Sequence, residues 1–491
     1  MKIFATTMPA LRSLLILTAL LVATAQLTAQ DFDHTQPPAL GPPPDMQPPM
    51  VQRLILKNGL PVLLVEKHSV PLVQINLQIK AGSVYDPDGF TGLARMTADM
   101  LDEGAGGRDA LELADAIDYL GANLSTRAGR HSTVIALNTP LAQLDAALPL
   151  LADVALKPAF AADELERKRK ERLTALIQQR DTPRTVAILE LDQVLYGPQH
   201  PYGRPAGGDA LGLQTMRVRD LKKFYRTWYR PNNATLIVVG DITAAEIIPK
   251  LENLFGKWRK RRIRPATWQE AAQVSGRTIY LVDKPGAAQS EIRIGRIGVP
   301  RSTGDYYTLE VLNTILGGAF TSRLNQNLRE EHGYSYGARS SFSMGPQAGP
   351  FVASAAVQTE VTDKALSEFM NELRGILELV PADELEKSKN YVALTFPAAF
   401  QTVSRIAGQL QELALNGLPT DTFIHYTGGI YGVTAEAVAQ AAAKYIDPEN
   451  LAIVVVGDRS KVEAGIKALG LGKLVSLSIE DVMGPPPAVA D

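Results

Sequence analysis

From residue 51 the chain alternates short apolar runs with polar turns, and the two periodicities of strand and helix are both present. Residues 51–66 predict two strands joined by a turn at Asn58-Gly59, and the alternating stretch 70–81 predicts a third. A turn rich in glycine, aspartate and proline leads into a short helix between Gly89 and Gly107, where Leu93, Met96, Met100 and Leu101 form an apolar stripe. Arg95, Ala98 and Asp99 fall on the opposite side of its first turns. Further helices are predicted over 109–119, 141–154, 162–179, 220–228 and 243–258, with strands over 122–127, 132–137 and 234–239. The run DELERKRKER in the 162–179 helix reads as a solvated face, because opposite charges recur three and four residues apart.

The second half repeats this order. Residues 231–241 (PNNATLIVVGD) recur as 448–458 (PENLAIVVVGD), each copy set between two helical stretches. A single long period of this kind signals two similar domains of roughly 200 residues rather than a solenoid. Strands are predicted over 279–282, 291–295 and 351–359, and from residue 338. Helices are predicted over 307–316, 322–331, 364–377 and 384–391, and 332–337 reads as a loop. The 307–316 stretch is the repeat partner of the helix between Gly89 and Gly107. Each domain combines antiparallel strand pairs with helices, so the class is α+β, two homologous domains each with a mostly antiparallel sheet.

Composition narrows the chemistry. The formal charge of −2 gives no support for nucleic-acid binding. The chain has no cysteine, which excludes disulfides, a thiol nucleophile and a thiolate zinc site. Lys2 and Arg12 form a positive region before an apolar segment, 13–25, too short for a comfortable membrane span, and Ala23-Thr24-Ala25 fits a cleavage site. Residues 1–25 are therefore expected to be a signal peptide, with no stable membrane span after its removal and a periplasmic or otherwise exported location. Residues 26–49 read as a proline-rich leader and 481–491 as a loose tail. Two domains, 50–258 and 277–480, are expected around a linker at 259–276 that begins in the basic run 257–264. His200 sits in a loop and has no histidine at ligand spacing; surface or hydrogen-bonding duty is its expected part.

Several motifs in order resemble the M16 (pitrilysin and insulinase) metallopeptidases, especially their two-domain members: Asn58-Gly59-Leu60, Ala81-Gly82-Ser83, Gly92-Leu93-Ala94, Asp181-Thr182-Pro183, His200-Pro201-Tyr202-Gly203, the 231–241 strand, and LREEHGYSYG at 328–337. The likeness covers about 51–480. The resemblance implies an inverted HxxEH zinc site, whose first histidine falls on Arg95, base glutamate on Ala98, second histidine on Asp99 and third ligand on Leu176. Arginine, alanine and leucine offer no lone pair, and one carboxylate is not a zinc site. The chain is thus expected to bind no metal and to be inactive alone.

The resemblance also implies an Arg/Tyr pair in the second domain that contacts the substrate carbonyl and the tetrahedral intermediate. It falls on Arg329 and Tyr336, with Tyr334 as the rival tyrosine. Some relatives divide the work between unlike subunits, one holding zinc and the other this pair. The expected partner is an HxxEH-containing M16 homologue that carries the Zn2+, and the expected ligand an unfolded or short peptide. The alternative is a non-catalytic structural or peptide-binding homologue of the cell envelope, like the core proteins of respiratory complex III. Relocated zinc ligands are a remote third reading, since the six histidines include no HxxH or HxxxH pair.

Overall fold

The computed structural model describes residues 47–264, 266–267 and 269–488. The expected signal peptide and all but the last residues of the proline-rich leader lie outside this set.

The first domain is built on six strands: β1 (Gln52–Ile55), β2 (Pro61–Glu66), β3 (Leu72–Ile79), β4 (Asn123–Ala128), β5 (Thr133–Pro140) and β6 (Ala234–Gly240). They form one sheet in the order β1-β2-β6-β3-β5-β4, with β2 and β6 parallel and the remaining pairs antiparallel. Three of its helices matter below: α1 (Leu93–Asp99), α2 (Ala162–Arg180) and α3 (Pro183–Tyr196). The second domain has β7 (Thr278–Asp283), β8 (Gln289–Ile297), β9 (Ser335–Phe342), β10 (Pro350–Gln358), β11 (Ala452–Gly457) and β12 (Lys473–Leu477). Their order is β12-β7-β11-β8-β10-β9. β6 and β11, the recurring sequence, hold the same place beside their parallel neighbours β2 and β7. The repeat fails at one edge: β1 precedes β2 and runs antiparallel to it, whereas β12 comes from the chain's end and runs parallel to β7. The relevant helices here are α4 (Tyr306–Asn313), α5 (Val403–Asn416) and α6 (Ile479–Met483).

The central strands are apolar on both faces. Leu63, Leu64 and Val65 of β2 and Leu236 to Val239 of β6 are all buried. Continuous runs of this kind need cover on two sides. One face of the first sheet packs on its own domain's helices, with Leu64, Leu236 and Val238 in that core. The other face is covered by α5, which comes from the second half: Leu63, Val65, Ile237 and Val239 meet Val403, Ile406, Ala407 and Leu410. The exchange is reciprocal. α3 from the first half lays Val186, Ala187, Leu191 and Leu195 on Val282, Val454 and Val456 of the second sheet.

Polar bonds fix the register of α5. Ser404 Oγ donates to Gln74 Oε1 (3.0 Å), Asn138 Nδ2 donates to the same oxygen (2.9 Å), and Asn76 Nδ2 donates to Gln411 Oε1 (3.2 Å). Neither α3 nor α5 is among the helices expected from the sequence. The two domains are consequently not separate bodies on a linker; each supplies a layer of the other.

Residues 479–484 are also fastened. α6 packs Val482 and Met483 into the α3 layer, Gln193 Nε2 donates to the Val482 carbonyl (3.0 Å), and Arg180 Nη1 donates to the Gly484 carbonyl (2.6 Å). No helix among the described residues is long and apolar enough to cross a membrane.

Leu410→Ala removes a fully buried side chain from the interface between α5 and the first sheet. It is expected to cost about 2–5 kcal/mol and to lower amide protection in β2 and β6, a domain away in sequence. Hydrogen exchange that shows loosening confined to the second domain would contradict this exchange of layers.

Candidate functional site

α1 begins at Gly92, whose φ of 90° is in the left-handed region and whose α-carbon lies so close to Gly208 that a Cβ would sit 2.5 Å from it. Asp86 caps the helix: its two carboxylate oxygens accept from the Gly92 and Ala94 amides, both at 2.7 Å. Burial pushes the Asp86 carboxyl up to about 7, against the pull of those amides. The apolar stripe is buried as expected. Ala98 is buried as well, at 0 % exposure, so it belongs to the core and not to an open polar side with Arg95 and Asp99. The helix is enclosed by β4 and the helix Val218–Trp228 and leaves only a narrow polar edge.

That edge holds an ion cluster. Asp99 Oδ1 accepts from Arg95 Nε (3.1 Å), and Oδ2 accepts from Arg172 Nε (2.7 Å) and also from Arg172 Nη2. The Asp99 side chain is only 10 % exposed. Arg95 Nη1 also reaches the Ala128 carbonyl of β4 (3.4 Å). The simple helix-surface pair of Arg95 and Asp99 is thus one arm of a bridge between α1 and α2. One turn back on α2, Lys168 pairs with Glu103 (2.6 Å), as does Arg167, and both hold the Glu103 carboxyl below its usual range although burial alone would raise it. The charged run of α2 is therefore more than a solvated face. Its local pairs exist, with Arg167 bonded to Glu164 and Glu171 (both 2.6 Å), but Lys168 and Arg172 reach Glu103 and Asp99, just beyond and at the end of α1, and Arg169 donates to the Met216 carbonyl (2.6 Å). Leu176, farther along α2, packs against the first core and lines a separate cavity of about 700 Å³.

The second cluster lies on the other domain. After α4 the chain continues as a π-type turn, 314–318, and a second π-type segment, 326–331, carries Arg329. Such segments are rare and place side chains off the ordinary helical register. Asn325 fixes this segment to β9 by accepting the Ala338 amide (2.9 Å). Tyr336 stands in β9 itself, not in the loop expected at 332–337, and is 91 % exposed. The Arg329 guanidinium lies 5.4 Å from the Tyr336 ring centroid and 4.3 Å from that of Phe320. Phe320, 60 % exposed, was not singled out in the sequence. Tyr334 points elsewhere: it stacks on His332 at 4.9 Å and packs against the second core. Arg329 and Tyr336 are therefore adjacent, and Tyr334 is engaged in packing. His200, in its loop, accepts the Tyr202 amide on Nδ1 (3.0 Å).

Comparison with known proteins identifies the family. Residues 61–200 match the family described as insulinase (peptidase family M16), and residues 215–392 match the peptidase M16 inactive domain. The chain belongs to the M16 peptidase family. A Rickettsia bellii relative named an uncharacterized zinc protease is 25 % identical over 362 residues, 74 % of this chain and 86 % of the relative. A Helicobacter pylori relative named a non-peptidase homologue is 22 % identical over 410 residues, 82 % and 93 % of the two chains. The crystal structure of a peptidase M16 inactive domain from Pseudomonas fluorescens matches with a TM-score of 0.78 and 28 % identity, covering 83 % of this chain and 98 % of that one.

The M16 fold implies zinc at the α1–α2 junction, and the residues here do not fit it. Three of the four positions, Arg95, Ala98 and Leu176, carry no donor atom for a metal. The fourth, Asp99, has both oxygens engaged by guanidinium groups. Among the described residues no group of three or more histidine, aspartate or glutamate side chains could hold a metal ion. Positive charge at this junction is supplied by Arg95 and Arg172.

Arg172→Ala leaves Asp99 with one partner in a largely buried position. A stability loss of about 1–3 kcal/mol is expected, read as a lower midpoint in urea. Arg172→Lys should recover only part of it, because lysine cannot offer the two donors. An unchanged midpoint for Arg172→Ala would mean the bridge contributes nothing.

Proposed function

We propose that this chain is the zinc-lacking subunit of an exported, heteromeric M16 endopeptidase, and that it lends Arg329 and Tyr336 to the transition state formed at a partner's zinc site. The observation that carries the reading is the contrast between the two clusters. The α1–α2 junction is closed by arginines, while Arg329 and the exposed Tyr336 sit side by side, and the tyrosine hydroxyl makes no hydrogen bond among the described residues.

The chemistry suits the assignment. A guanidinium can donate to a peptide carbonyl, and a phenol hydroxyl can donate to the oxyanion that forms when water adds to that carbonyl. Phe320 and Tyr336 flank the guanidinium and limit the directions it can take, at a cation–π gain of about 0.5–1 kcal/mol for an exposed site. The attacking water, the metal and the general base then belong to the HxxEH-bearing partner, and the ligand is an unfolded or short peptide held between the subunits.

The second reading, a non-catalytic peptide-binding or structural homologue, is favoured by the Helicobacter relative's description as a non-peptidase. Reconstitution separates them. This chain alone is expected to cleave nothing. Mixed with an HxxEH homologue from the same cell it should produce zinc-dependent cleavage of a quenched fluorescent peptide. Tyr336→Phe should lower kcat/KM by about 100-fold, the usual scale for loss of one oxyanion donor. Arg329→Ala should be at least as harmful, whereas Tyr334→Phe should leave the rate near the unsubstituted value. Full activity with both Tyr336→Phe and Arg329→Ala rules out the shared site.

A further inference from the structure

Bordering Tyr336, a cavity of about 410 Å³ opens between the second sheet and the N-terminus of α3. Its lining includes Arg184, Arg293, Arg339, Glu291, Ser335 and Tyr336. The strand register explains the space. Ser354 of β10 lies opposite Arg293 of β8 on one side and opposite Arg339 of β9 on the other, and Ala356 lies opposite Glu291. Two arginines thus stand on either flank of a strand with small side chains, their backbones about 10 Å apart at ordinary strand spacing. Arg184 enters from the first turn of α3.

The charges do not balance. Glu291 is the one carboxylate in the lining, and all three guanidiniums act on it. It pairs with Arg293 (3.2 Å), which is only 9 % exposed and whose Nε has no aligned hydrogen-bond acceptor. Asp192, the next acid in reach of Arg293, is bonded to Arg130 (2.7 Å). Arg184 and Arg339 make no hydrogen bond or ion pair within the described residues. Thr182, at the start of α3, leaves its side chain out of capping, so the positive end of a 14-residue helix adds to the same field.

We infer that this cavity binds a peptide-borne carboxylate, with Arg184 and Arg339 as its ligands and Arg293–Glu291 as its floor. Guanidinium groups recognise carboxylates by paired, charge-assisted hydrogen bonds, and the volume suits one or two residues. The cavity's place beside Tyr336 connects it to the peptide site, so the inference deepens the function proposed above and rests on it for the kind of ligand. It makes carboxylate position along the peptide a determinant of what this subunit accepts. The carboxylate can come from an acidic side chain or from the peptide's own C-terminus.

The experiment is fluorescence anisotropy on the full chain, without partner, at low and at 0.15 M salt. Three fluorescein-labelled decapeptides serve as probes: one amidated at its C-terminus with two central glutamates, its amidated twin with glutamines, and the glutamine twin with a free C-terminus. A carboxylate-bearing probe is expected to bind about tenfold more tightly than the amidated glutamine twin, the scale of one charge-assisted contact. Whichever of the two does so identifies the source. The advantage should shrink with salt, vanish in Arg184→Gln/Arg339→Gln, and persist in the charge-matched control Arg374→Gln/Lys387→Gln. Equal binding of all probes, no binding by any, an advantage that survives Arg184→Gln/Arg339→Gln, or its equal loss in the control overturns the inference. Failure of the reconstitution above would remove the shared active site but leave this binding result standing, so the two can fail separately.

Discussion

The apolar character of β2, β6, β7 and β11 on both faces is the constraint from which the architecture follows. A sheet with two dry faces requires two layers of cover, and each domain provides only one for itself. The missing layer comes from the other half of the chain, α5 for the first sheet and α3 for the second. This ties the domains through their cores, with burial of each large side chain worth about 1.5–3 kcal/mol, and the polar ladder of Gln74, Asn76, Asn138, Ser404 and Gln411 sets where α5 stops sliding. The clusters on α1–α2 and on β9 are held by this frame rather than by the linker.

The α1–α2 junction is closed by a structural bond between charged side chains. Where the family fold implies a dication with side-chain donors, this chain has an acid between two guanidiniums. Asp99 and Arg172 sit on different helices, and their pairing does one of the jobs a bound ion does, holding α1 against α2. It cannot do the other. A guanidinium neither polarises a water nor accepts its proton, and Ala98 supplies no carboxylate beside it.

Strands were legible wherever the signal was local. The apolar runs at 234–240 and 452–457 and the Asn58-Gly59 turn declare themselves, and the recurrence of PNNATLIVVGD correctly implied two sheets of one plan. What was hidden depends on distant partners. α3 has apolar residues on several sides because it touches the second sheet, α6 and its own domain, so no single stripe marks it. α5 carries Gly408 in its middle, a weak helix former. Arg172 belongs to a charged run that reads as a solvated helix face, and nothing near it in sequence announces Asp99. That residues 95, 98 and 176 carry no metal donor is plain from residue type alone. The neighbourhood of Arg329 was not: Phe320 lies across a glycine-rich bend, and the π-type turns that bring it close have no sequence signature of their own. Ser335-Tyr336-Gly337 has the composition of a turn and reads as loop, yet β9 starts there.

The two ends of the pattern also set an order of events. A chain made from its N-terminus completes β6 at Gly240, but the helix that covers that strand's second face ends only at Asn416. At about 5–20 residues per second, Leu63, Val65, Ile237 and Val239 stay without their cover for roughly 10–35 s. The second sheet is completed later still, since its edge strand β12 and the α6 that seals α3 follow β11 in the chain. The first domain therefore cannot finish folding before the second has largely been made. The nascent chain presents a bare β surface during that interval, which is the period when a chaperone or a holding factor has most to shield.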